Sequence, residues 1–118
     1  MRVLYSRSVA VATTLTANVR VPADCTVKRV EVHVITIPLV ALGTNDTANC
    51  DVRVCSLVES DTVDASTWLF GKETVIAYQP LVWQGKLKIS KDFYSMVYLD
   101  VERCTVGDQI ELAVTIDE

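Results

Sequence analysis

The sequence predicts an all-β domain, an antiparallel two-sheet β-sandwich, and three observations carry that expectation. The first is alternation. Between Ser95 and Glu118, Val97, Leu99 and Val101, and then Ile110, Leu112, Val114 and Ile116, occupy every second position. That period marks strands with one face on a core and one in water. The second is composition: 50% of the 118 residues are hydrophobic, and valine and threonine, which suit strands better than helices, recur throughout. The third is punctuation, with turn-forming clusters between short apolar runs and no long helical period.

Taken in order, residues 1–16 carry Val3, Leu4 and Tyr5 and then Val9, Val11 and Leu15. They read as a first strand or, over residues 1–7, as an extended N-terminal arm. Ala17–Val21 alternates Val19 and Val21 with Arg20 and stops at the turn cluster Pro22-Ala23-Asp24. Thr26–Ile37 sets Val30, Val32 and Val34 on one face, with Lys28, Arg29, Glu31 and His33 in the polar positions. Its far end, Val34 to Val40, is apolar on both faces, which predicts double-sided burial or a subunit contact through Ile35, Ile37 and Leu39. Gly43–Asn49 reads as a polar loop, and Cys50, Val52 and Val54 as the next strand.

Ser60–Ser66 is polar, and Asp61 or Thr62 could cap one helical turn running to Leu69-Phe70 before Gly71, with an irregular loop as the alternative. Glu73–Tyr78 is a strand ended by Gln79-Pro80. Leu81-Val82-Trp83, a Gln84-Gly85 turn and Lys86–Ser90 predict a hairpin. Gly107-Asp108, between the last two alternating runs, predicts a closing hairpin in which the glycine takes a positive φ. The total is roughly seven to nine short strands, as sandwiches and barrels have. No linker or internal repeat divides the chain, so residues 1–118 form one domain.

The net charge is −4, from fifteen acidic and eleven basic residues. A sequence-independent nucleic-acid binder needs a basic face to displace counterions, so that partner is excluded. The start of the chain lacks the apolar segment and cleavage site of a signal peptide, and no apolar run approaches the roughly 20 residues that span a bilayer. The expectation is a soluble protein made without a signal peptide and without a membrane partner. Cys25, Cys50, Cys55 and Cys104 contain no CxxC pair and read as free thiols filling space as small hydrophobes.

Candidate chemistry is sparse. A triad would have to use His33, the one histidine, which lies mid-strand on the polar face. Glu59, Asp61, Asp64 and Glu73 are near each other in sequence, but solvated loop charges explain them better than acid–base chemistry. Asn45, Asp46, Asn49 and Asp51 offer oxygens without the spacing of a calcium loop. The reading is therefore no catalytic residue, no metal and no cofactor. Trp68, Tyr78 and Trp83 could stack on sugar rings if they shared an exposed face, whereas core filling is the commoner fate of such side chains.

The strands Thr26–Pro38, Glu73–Tyr78 and Met96–Ile116, with the turn-and-strand Val106-Gly107-Asp108-Gln109-Ile110-Glu111-Leu112, resemble the small jelly-roll structural proteins of virus and bacteriophage particles. The resemblance is one of strand pattern over most of the chain. It implies a jelly roll in preference to an immunoglobulin-like sandwich. It also implies a virion component (capsid, cement, decoration or spike) that works as a homo-oligomer within a larger particle. On that reading the subunit interface is Arg2, Val3, Leu4 and Tyr5, reaching onto a neighbour, together with Ile35, Ile37 and Leu39. The alternative is a carbohydrate-binding module or receptor-binding head stacking glycans on Trp68, Tyr78 and Trp83.

Overall fold

A computed structural model describes residues 1–35, 47–56, 64–76, 79–89, 95–104 and 106–118. Among these residues are eight strands: β1 (Arg2–Val9), β2 (Thr14–Val21), β3 (Thr26–Ile35), β4 (Thr47–Ser56), β5 (Asp64–Ile76), β6 (Leu81–Lys88), β7 (Ser95–Glu102) and β8 (Gln109–Asp117). Among the described residues there is no helix. Two four-stranded sheets result, ordered β1-β8-β3-β6 and β2-β7-β4-β5. Every pairing is antiparallel, and the ladders nest: β1 with β8, β2 with β7, β3 with β6, β4 with β5.

The core is the filling between the sheets. Leu99, Val97 and Val101 of β7 and Leu112, Val114 and Ile116 of β8 are all fully buried, as their alternation predicts. Val27 and Val30 of β3 are both fully buried although they lie three apart, which a regular strand could not achieve. The pairing with β8 slips by one residue between Val27 and Arg29. Lys28 is the extra residue of a bulge, and the bulge resets the alternation so that both valines face inward.

Three local expectations are corrected. Gly107 has the predicted positive φ of 98°, yet β7 and β8 do not form a hairpin. The turn carries the chain from one sheet to the other, and β8 pairs with β1 and β3 instead. Likewise Gln84-Gly85 is not a hairpin turn, because β6 runs unbroken from Leu81 to Lys88. Two β6 residues, Gly85 and Lys86, stand opposite the single Lys28 between the Val27–Leu87 and Arg29–Gln84 pairs, so the glycine marks an irregularity within a strand. Finally, the capping candidates Asp61 and Thr62 lie outside the described residues, and the stretch from Asp64 to Gly71 is not helical. It belongs to the 13-residue β5, which holds three more residues than β4 because the pairing shifts at three places.

Gly85 also makes room for a ring. A β-carbon at this position would lie 2.7 Å from Cζ2 of Trp83, and an indole packed on the core cannot yield as a flexible chain would. Gly85→Ala is expected to cost about 1–3 kcal/mol through forced repacking and to shift tryptophan emission. Unchanged stability and emission would show that the indole moves aside freely.

Candidate functional site

Residues 2–9, for which strand and arm were both open, are a strand at the edge of the first sheet, in unbroken register with β8 from Arg2–Ile116 to Val9–Gln109. Leu4 turns inward and packs against the core, while Val3, Tyr5, Arg7 and Val9 alternate outward. Of the six exposed large hydrophobic residues among those described, five lie within residues 1–11: Met1, Val3, Tyr5, Val9 and Val11. The sixth, Val106, sits at the same end, since the neighbouring Gly107 N–H donates to the Ala10 carbonyl at 2.8 Å.

Charge borders this apolar strip. Arg7 Nε donates to Glu111 Oε2 at 2.5 Å, and its guanidinium lies 5.8 Å from the Tyr5 ring centre, within cation–π reach. Arg2 pairs with Glu118 farther along the same strand. The next row inward continues the pattern, because Glu111 is also the register partner of His33. His33 Nε2 donates to Glu31 Oε2 at 3.0 Å, and Arg29 pairs with the same carboxylate. Where β1 ends and β8 begins, Arg7, Ser8, Val9, Gln109, Ile110 and Glu111 line a cleft of about 490 Å³. Its lining sets an ion pair, the Ser8 hydroxyl and the Gln109 amide beside valine and isoleucine.

The hydrogen bond from His33, reinforced by Arg29, outweighs burial and holds the Glu31 carboxyl below its ordinary value of 4.5. A carboxyl depressed by folding stabilises the fold above its unfolded value, and that stabilisation is lost as pH falls through the folded value. Glu31→Gln should therefore cost a few tenths to about 1 kcal/mol at pH 7, as for a half-exposed ion pair, and less at pH 3. Denaturant titrations at both pH values check this; an equal cost at each would remove the ionic role. Burial raises the thiol pKa values of Cys25 and Cys104, which keeps them protonated and unreactive at neutral pH. Both are free and buried, as expected of small hydrophobes.

The sequence-predicted interface residues Arg2, Val3, Leu4 and Tyr5 thus fall together on β1. Ile35 closes β3 opposite Gln109, and Ile37 and Leu39 lie outside the described residues. Of the three candidate sugar-stacking rings, Trp83 is half-buried against the core. Trp68 is placed on β5, in the other sheet, by its pairing with Arg53, and Tyr78 lies outside the described residues. Asn45 and Asp46 of the oxygen-rich loop also lie outside them. Among the described residues no three His, Cys, Asp or Glu side chains converge as metal ligands. No helix among them is long and apolar enough to cross a membrane.

Sequence reasoning missed Arg7, Val9 and Glu111. The signal was available for the first two, because Val3, Tyr5, Arg7 and Val9 are one face of a period-two run whose other face is Leu4, Ser6 and Ser8. Glu111 needed the β1–β8 pairing, which joins opposite ends of the chain. No family model matches this chain, and neither a curated protein nor a solved structure matches it.

Proposed function

We propose that this chain is a non-enzymatic structural subunit of a virus or bacteriophage particle, a jelly-roll capsid, cement or decoration protein that acts through self-assembly. The single observation that carries the reading is the pairing of a nested strand order with an apolar outward face on an edge strand. A chain folded as one long antiparallel ladder and then rolled gives the orders β1-β8-β3-β6 and β2-β7-β4-β5. An immunoglobulin-like order would instead seat β1 beside β2. On this fold, β1 offers Val3, Tyr5 and Val9 to solvent, and such a strip on an edge strand marks a contact surface.

The partners are other subunits, first of all copies of the same chain, and the location is the virion. Light scattering on the purified chain is expected to give a multimeric mass, with tryptophan emission that is blue-shifted and indifferent to added glycans. A monomeric mass with red-shifted, glycan-responsive emission would overturn the reading in favour of the carbohydrate-binding alternative.

A further inference from the structure

We propose that two copies of this chain join through their β1 strands, antiparallel about a two-fold axis at Ser6, so that the first sheet continues across both subunits. The inference rests on the homo-oligomer reading above and gives it a geometry.

Edge strands in stable proteins usually carry devices that discourage pairing: lysines, proline, bulges, or a polar outward face. The other three edges of this sandwich have them. β6 presents Lys86 and Lys88 and an irregular register with β3. β5 shifts register three times against β4. β2 turns Thr14, Thr16, Asn18 and Arg20 outward. β1 has only Arg7, whose guanidinium is tied to Glu111 and lies near the Tyr5 ring: its register with β8 is unbroken over eight residues, it contains no lysine or proline, and the rest of its outward row is Val3, Tyr5 and Val9.

The backbone phase fits as well. Ala10 N–H donates to the Asp108 carbonyl at 2.8 Å, one step beyond the Val9–Gln109 pair. Alternation from there turns the backbone groups of even-numbered residues toward β8 and those of Val3, Tyr5, Arg7 and Val9 toward the open edge. A second β1 laid there, running the other way, can make about eight backbone hydrogen bonds.

The side chains choose the register. With Ser6 opposite Ser6 of the second copy, Val3 faces Val9 and Tyr5 faces Arg7, and the dyad repeats both pairs. Each outward pair is then apolar on apolar or cation on ring, the cross-strand pairs that stabilise a sheet. The contact between Arg7 and Tyr5 already made within one chain extends into a four-residue row across the axis. Moving the axis to Arg7 would oppose two guanidinium groups. Moving it to Tyr5 would set Arg7 against Val3, so that each cation faces an aliphatic side chain instead of a ring. Glu111, bound to Arg7 from the other side, keeps the cation in place.

Ser6→Cys tests the axis. In a non-hydrogen-bonded pair on the dyad the two α-carbons stand about 4.5 Å apart, within disulfide reach. Mild oxidation should convert this variant to a covalent dimer, under conditions in which the wild type and Tyr5→Cys stay uncrosslinked. The double variant Val3→Lys, Val9→Lys changes two exposed positions and should keep its circular-dichroism spectrum while its mass by light scattering halves. A multimer that Ser6→Cys fails to crosslink, or that Tyr5→Cys crosslinks in its place, overturns this geometry and leaves the assembly reading standing. A monomeric wild type at high concentration overturns both.

Discussion

Leu112→Ala should lower unfolding stability by about 2–5 kcal/mol, the range for a large-to-small change in a packed core. Leu112 is fully buried, at the centre of β8, with Ser6 of β1 on one side and Val32 of β3 on the other. A strand hydrogen-bonded on both flanks cannot slide inward to close the cavity, so the cost belongs in the upper half of that range. Val106→Ala is the matched control: it removes apolar atoms from an exposed side chain outside β1 and should stay within about 0.5 kcal/mol of wild type. Chemical denaturation with an unchanged denaturant slope measures both. A Leu112→Ala loss no larger than that of Val106→Ala would mean that the two sheets do not close on each other at β8.

The two faces of β7 and β8 were legible in the sequence because an unbroken period of two records which side of a strand is wet. Which sheet each joins was not. The Gly107-Asp108 turn needs the same positive φ whether the chain folds back on its neighbour or crosses to the opposite layer, and that choice is made by β1 and β2, nearly a hundred residues away. β6 and β5 were misread for a related reason. Gly85 and Gly71 look like stops, yet a glycine within a strand also accommodates a bulge, and the bulges in β5 break the very alternation that would have declared it a strand. The apolar start of the candidate surface, Val3 to Tyr5, was visible as sequence. Its extension to Arg7, Val9 and Glu111 depended on a pairing between the two ends of the chain.

Deleting residues 1–7 should unfold or severely destabilise the domain. An arm draped on a neighbour would allow the opposite, a folded monomer of lower assembled mass, which is what the sequence alone led one to expect of Met1–Tyr5. β1 instead supplies one entire flank of β8. Its removal strips the ladder from Arg2 to Arg7, takes Leu4 off the core and breaks the Arg2–Glu118 and Arg7–Glu111 pairs. The ion pairs are exposed and contribute little. The larger loss is the new edge, because β8 would present Leu112, Val114 and Ile116 on a strand covered from one side only. The expected decrease is several kcal/mol, a large part of the roughly 5–15 kcal/mol that holds a domain folded, and the bared apolar edge should promote aggregation. Circular dichroism, thermal melting and light scattering on the truncated chain decide the matter. A truncated chain that melts cooperatively near the wild-type temperature would show that β1 is a detachable arm and that β7, β3 and the remaining strands close the core without it.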